Sequence, residues 1–543
     1  LAVADSWTST GTGISLTADA ELSSTAAAGL ATLETNGYDF KLASDTTELT
    51  LANVFTLATG KLSTQGADLI FASRADISSG ATLDATVLTG AGGKLEFQQG
   101  GTAAGTINAS NATFKLGAAY AVTGTLKTNS GTIWELGTAD APAYLDLSGG
   151  TLELGGDVTL DNILTNNQTK FKLNGEDATV TRDEGFTLGG LDLEGFTFTL
   201  GTEDTDLTLD LSAATGDSPT GTLATQAADL TILGAPTMTA GTIISSTGGT
   251  FTFGDGLSIS GATLSLTGST LALGGSFSNT GGTLTLSGTD LELLSDVSLS
   301  SDSAAAFDSF DPKGFNLELS STSTGNVALG TLALTEEKIE VNGGTLSLAG
   351  GSVGTNGELE VGGSGTLSLQ GDLTVTGTLN LSSGASLTLA GNTLDISGGQ
   401  LELAGTHSLD GITTGANTTL QINSSANISR TDSGTSTVGN LIFSSQTGGA
   451  ASLTLSVNNM SLSVAAAAQF SGISLSQSNG KLTFQGTPAF SNTSSLNVSG
   501  GELILQSGGT LSDSSLNFTS SVFRPSGTVS LVSNSSLNFD QNS

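Results

Sequence analysis

The sequence contains no cysteine in 543 residues. That excludes disulfides, thiol nucleophiles and cysteine-ligated metals. It has a single histidine, His407, so a Ser–His triad or a histidine-bound metal would have to rest on that one side chain. Its context, THSLDG, has no nucleophile-elbow pattern, and it reads as a turn histidine. Aromatic residues make up only 5%, and Trp7 and Trp134 are the only tryptophans, the second placed in the interior or at a bulge. No stripe of exposed rings is available to grip sugar chains. Positive charge is scarce as well: 14 Lys and Arg stand against 50 Asp and Glu, a formal net charge of −36. Such a surface repels nucleic acid phosphates and anionic membranes, so neither is expected as a partner. No apolar run reaches the roughly 18 residues of a membrane helix, and the longest soft stretch is Val464–Phe470. The chain opens LAVADSW with no basic-then-apolar leader, from which we expect removal of a secretion signal and an extracellular or cell-surface location.

What the sequence has in abundance is glycine, 75 residues, together with serine and threonine around short apolar alternations. Between Phe251 and Leu299 the triplets FTF, LSI, LSL, LAL, FSN, LTL, LEL and VSL begin at intervals of 6, 7, 7, 6, 7, 7 and 6 residues. Period-2 triplets between turn residues are strand signals. Three of them in a fixed period of 20 predict an all-β parallel solenoid with three short strands per coil of about 20–22 residues. Parallel crossovers and the loose spacing favour a right-handed coil. The outer two residues of each triplet should face inward, so that Phe251, Leu271 and Leu291 form one interior column while Thr252, Ala272 and Glu292 line the outside. Asn279 falls where an inward apolar residue is expected, which implies a register shift or an interior amide bonded to its neighbours. About 26 coils would make a rod on the order of 120 Å long.

A longer repeat overlies the coil. GYDFKL from Gly37, GFTFTL from Gly195 and GFNLEL from Gly314 open three related blocks, read as duplicated groups of coils. We divide the chain into residues 1–35, an N-terminal edge or cap; 36–410, an acidic solenoid; and 411–543, a neutral Ser/Asn-rich continuation. Within residues 1–35, Ser24–Glu34 could form a helical turn or a padded coil. The last segment holds only four acids (Asp432, Glu502, Asp513, Asp540) and three bases (Arg430, Lys481, Arg524). A surface of that kind can approach another subunit without like-charge repulsion.

Candidate chemistry is thin. The densest acidic cluster is Glu176, Asp177, Asp183 and Glu184 around Arg182, followed by Glu203, Asp204 and Asp206. Paired carboxylates of this kind serve acid–base chemistry on polysaccharides, but a solvated charged face is the simpler reading. Weak calcium binding at Glu203–Asp206 is the remaining option. Asp192 and Glu194 alternate with leucines and should face outward. N-x-S/T triplets crowd the last quarter, at Asn417, Asn423, Asn427, Asn459, Asn492, Asn497, Asn517 and Asn534. Outward positions that mix Ser, Thr, Ala, Asp and Glu argue against an ice-binding face. No catalytic, cofactor or metal residue is therefore assigned.

The runs GGTLTLSGTDLEL (281–293), GGTLSLAGG (343–351) and GTLNLSSGASLTLAGNTLDISGGQLELAG (377–405) resemble the β-solenoid passengers of autotransporters and filamentous-haemagglutinin-type bacterial surface proteins. The resemblance implies secretion and a non-catalytic adhesive or structural role. Strand triplets continue to Leu537–Phe539 with no polar or proline-blocked cap, from which we expect head-to-tail stacking of subunits into a filament or sheath. The alternative is a monomeric adhesin binding host, sugar or neighbouring cells, and the third reading is a polysaccharide-active enzyme.

Overall fold

The computed structural model describes residues 2–3, 7–8, 13–43, 46–86, 92–137, 143–212, 220–431, 434–443 and 453–543. They contain short β-strands and no helix. The chain forms two units, residues 1–272 with 281–286 and residues 273–280 with 287–543. Each is a parallel β-solenoid with three strands per coil, and the two together comprise about 25 coils.

The first unit shows how the alternation becomes a fold. Phe40–Leu42, Lys61–Ser63, Thr82–Asp84 and Thr106–Asn108 are successive neighbours in a ten-stranded sheet running from Ala2–Val3 to Gly190–Asp192. A second sheet runs from Trp7–Thr8 to Ile133–Glu135, and a third from Phe55–Leu57 to Ile163–Leu164. Strands such as Phe40–Leu42 and Phe55–Leu57 bury their outer two side chains and turn the middle one outward. Each coil alone would expose that apolar row; stacking converts it into columns, each buried Leu or Phe contributing about 1.5–3 kcal/mol. Aromatic residues pack from coil to coil, Phe71 stacking on its register partner Phe97 at 5.0 Å and Phe55 tilting against Phe71 at 5.3 Å. Residues 24–34 form the padded coil rather than a helical turn, with strands Ala28–Leu30 and Thr32–Glu34.

The three duplicated blocks share one turn. Asn36, Glu194 and Lys313 have φ of 52°, 49° and 50°, and the glycines that follow, Gly37, Gly195 and Gly314, have φ of 90°, 88° and 88°. Two successive left-handed residues make the tight turn, and glycine serves at the second because an L side chain is strained there. The strands that follow are equivalent, with Phe40 and Leu42, Phe198 and Leu200, and Leu317 and Leu319 all buried.

In the second unit one long sheet runs from Phe277–Thr280 to Ser536–Phe539. The 20–22-residue spacing reappears as strand register: Leu359 opposes Leu379, which opposes Leu401. Near residue 400 this sheet splits. Gln400–Ser408 and Thr419–Ser429 are unusually long strands, with a register shift between Leu403 and Gly405. The first half of Thr419–Ser429 pairs with Asn440–Phe443 and the second half with Thr454–Asn458. The stack beyond residue 453 grows from the second half alone, in coils whose first strands start at Thr454, Ser474, Ser495, Ser515 and Ser536.

Three expectations are resolved or corrected. Asn279 is the interior amide: it is 2% exposed, opposes Ser301, and its Nδ2 donates to Ser301 Oγ at 3.2 Å and Ser303 Oγ at 2.6 Å. Phe251, Leu271 and Leu291 are each fully buried, but Ala272, expected outside, is only 3% exposed. A methyl between longer outward side chains one strand spacing away is covered by them. His407 is not in a turn; it lies within Gln400–Ser408, buried, opposite Ile428, with Nε2–H donating to Ala404 O at 2.7 Å.

Candidate functional site

Carboxylates that look like a cluster in sequence are separated by the fold. Glu176 accepts the N–H of Ser130 at 2.8 Å, Asp177 that of Thr197 at 2.7 Å, and Asp206 that of Asp229 at 2.9 Å. Asp183, Glu184, Glu203 and Asp204 are exposed. Arg182 uses its backbone, its N–H donating to Thr205 Oγ1 and its carbonyl accepting from the same hydroxyl. Asp192 and Glu194 face outward as expected, both paired with Lys172, at 3.8 and 2.5 Å. Among the described residues no group of three or more Asp, Glu or His could hold a metal ion, and the calcium option at Glu203–Asp206 gains no support.

A role for aspartate that the sequence reading missed emerges instead. Asp39 accepts the N–H of Lys61, Asp68 that of Lys94, Asp157 that of Thr179, Asp229 that of Thr250, Asp296 that of Asn316 and Asp372 that of Thr393, at 2.6–3.0 Å. Each such Asp immediately precedes an inward apolar residue and reaches the next coil, 20–26 residues on. The sequence signal was there, Asp directly before an apolar doublet, but its partner is fixed only once coil lengths are known. Part of the acidity is thus a set of charge-assisted links between coils.

A second group of acids lines the outer face of the long sheet of the second unit. Glu318 opposes Glu340, Glu340 opposes Glu360, and Asn380 separates Glu360 from Glu402. Like charges one strand spacing apart repel, and Lys338 sits among them. Its ammonium pairs with Glu340 and Glu358, each at 3.5 Å, and with Glu360. Burial pulls the Lys338 pKa down, but the hydrogen bond to Glu360 and the charges of Glu358, Glu360 and Glu340 outweigh it and hold the group above the ordinary lysine value. Asn342 Nδ2 donates to Glu318 at 3.1 Å and Glu340 at 2.6 Å. Beside this column lies a shallow groove of about 360 Å³ lined by Asp296, Asn316, Glu318, Lys338 and Glu340 among others.

Beyond the split the same sheet changes character. Thr406, Asn427, Ser456, Ser476, Asn497, Asn517 and Asn538 form one outward column. The flanking columns, Ser408 to Thr519 on one side and Thr454 to Ser536 on the other, hold only Ser, Thr and Asn. Side chains bond along the column: Asn517 Nδ2 donates to Asn497 Oδ1 at 2.8 Å, Asn538 Nδ2 to Asn517 Oδ1 at 2.7 Å, and Ser476 Oγ to Ser456 Oγ at 2.9 Å. The outward positions here lack the Ala, Asp and Glu mixed in elsewhere, and the neutral Ser/Asn-rich composition after residue 410 is gathered into one set of columns.

This face also accounts for the crowding of N-x-S/T triplets. In a strand, residues i and i+2 share a face, so a surface made of Asn, Ser and Thr generates them automatically, as at Asn427–Ser429, Asn497–Ser499 and Asn517–Thr519. Others, Asn459 and Asn492, occupy left-handed turn positions, with φ of 53° and 51°. Trp134 opposes Phe114 in an inward column, their rings edge to face at 5.8 Å. Trp7 lies in the strand Trp7–Thr8, paired with Ala28–Gly29. No helix is long and apolar enough to cross a membrane among the described residues. No family model, curated protein or solved structure matches the chain.

Proposed function

We propose that the chain is a non-catalytic structural protein of the cell exterior, a β-solenoid that joins head to tail with further copies into a filament or sheath. The observation that carries this reading is the parallel pairing of each strand with its counterpart in the next coil. In such a stack every coil offers its neighbour one edge of backbone donors and acceptors on one side and the complementary edge on the other. Unlike, complementary edges give a heterologous contact that propagates without closing. The side-chain links from coil to coil repeat as well, with Asp296 reaching Asn316 and Asn316 Oδ1 accepting from the N–H of Lys338 at 2.8 Å. The test is negative-stain electron microscopy across protein concentration, with and without divalent cation. Filaments lengthening with concentration are expected; single particles under every condition would overturn the reading.

A second reading, a surface adhesin, is favoured by the polar groove at Asp296, Asn316, Glu318 and Lys338. Its polar lining and open form would suit a sugar or a basic segment of another protein. Binding of the purified chain to glycan arrays or intact cells, lost in Lys338→Glu, would favour it over the filament.

A further inference from the structure

We propose that the uncharged face beyond the split, from Thr406 to Asn538, is a lateral docking surface for the same face of a second copy. The inference rests on the reading of the chain as an assembling structural protein and adds where copies meet side by side.

Three observations lead to a second copy as the occupant. The first is charge. Of the 50 acids and 14 bases, only four acids and three bases follow residue 410, and of those among the described residues only Asp540, just past Asn538 in the last coil, borders the outward columns of this face. Two copies carrying −36 each repel wherever acidic columns meet, so an isologous contact is cheapest here.

The second is hydrogen bonding. Burying polar groups costs free energy unless they keep partners. Here Asn538 donates to Asn517, Asn517 to Asn497, Asn458 to Asn427 at 2.6 Å, and Ser495 to Ser474 at 3.3 Å, all within the face and along the axis. These bonds leave each amide fewer groups to strip of water when the face is covered. The side chains are small, and ladders of asparagine between opposed sheets form close, dry contacts. A glycan would gain less, because it exchanges hydrogen bonds to water for hydrogen bonds to protein with little apolar area to bury.

The third is area. Seven coils at about 4.8 Å and strands of about five residues at ~3.3 Å give roughly 500 Å² per copy. A pair would bury about 1,000 Å², at the lower edge of specific interfaces. One contact of this size is weak, and many along two filaments reinforce one another.

The experiment uses the full chain. Asn497→Glu with Asn517→Glu places charge on the face, and Ser461→Glu places one on the neighbouring face beside Lys481, which Ser461 opposes. Sedimentation velocity over a concentration series should show side-by-side association in wild type and Ser461→Glu, weakened at least tenfold in the double variant. A second measurement does not depend on that variant folding. Because the chain lacks cysteine, Asn497→Cys should give a disulfide dimer on mild oxidation, and Ser461→Cys should not. If filaments form but the double variant associates like wild type, or both cysteines cross-link equally, this inference falls and the filament reading stands. If filaments are absent yet Asn497→Cys alone cross-links, the filament reading falls and the face stands.

Discussion

The long sheet of the second unit contains, end to end, two surfaces on one scaffold. From Glu318 to Glu402 its outer column is acidic and held by Lys338; from Thr406 to Asn538 a second outer column, begun in the second half of the long strands, is hydroxyl and amide. The leading inner column does not change kind. Ile339, Leu359, Leu379 and Leu401 succeed one another in the first stretch, and Leu455, Leu475, Leu496 and Leu516 in the second, all 0–1% exposed. The fold is thus specified by what points inward, and the outer positions are free to set surface chemistry. The price of changing surface is local: a register shift at Leu403/Gly405 and two long strands that serve both columns.

The strongest way to break this equivalence is to cut the inner column in each stretch. Leu379→Ala and Leu496→Ala remove side chains that are both fully buried. Each should cost about 2–5 kcal/mol. Because coils contact only their neighbours, the loss should be local, read as faster amide exchange in the flanking strands. Similar losses are expected; if one site gave under about 1 kcal/mol, its column would not be carrying the fold.

This division also explains what the sequence could convey. Period-2 alternation within each triplet identified the strands and their inward residues, and the regular spacing of successive triplets gave the 20–22-residue coil. Contacts between coils depend on loop lengths that vary: Asp39 reaches 22 residues ahead, but Asp68 reaches 26. The local sequence therefore showed Asp177 and Asp183 as a cluster, although Asp177 binds the N–H of Thr197, the N–H of Asp183 turns back to Asp161, and no common site forms. The neutral composition after residue 410 was legible, but its gathering into one face was hidden for the same reason. Residues such as Ser476, Asn497 and Asn517 are about 20 apart and become a column only when the coils are in register. His407 was misread because its strand extends through the bulge, past the point where the apolar alternation fades.

A smaller effect sharpens the contrast from inside. The column Val457, Gln477, Val498 carries one buried glutamine, 1% exposed, with neither amide atom hydrogen-bonded. The matching column of the acidic stretch, Val341, Val361, Leu381, Leu403, is wholly apolar. A buried polar group without a partner costs about 1–3 kcal/mol. Gln477→Leu, similar in volume, should recover a comparable amount as slower exchange in Ser474–Ser478 and its neighbours, whereas Leu381→Gln should lose it. Destabilisation by Gln477→Leu would show that the amide is used.

The smallest expected effect tests whether the acidic column needs its single cation. Lys338→Met leaves Glu340, Glu358 and Glu360 facing one another without the ammonium that now pairs with all three. With the lysine side chain 33% exposed, solvent screening limits the loss to about 1 kcal/mol at neutral pH. The loss should shrink as salt rises, since screening weakens both the repulsion and the pairing. The sign with pH follows from the raised Lys338 pKa. A group whose pKa is higher folded than unfolded gives its full stabilisation below the unfolded value. That stabilisation disappears as pH rises through the folded value, so wild type and Lys338→Met should converge in strongly alkaline solution. The corresponding change beyond the split, Asn517→Leu, removes an amide from an uncharged column and should show neither dependence. Equal salt sensitivity of the two variants, measured by amide exchange in Lys338–Val341 and Ser515–Thr519, would mean that the two surfaces differ in composition but not in electrostatics.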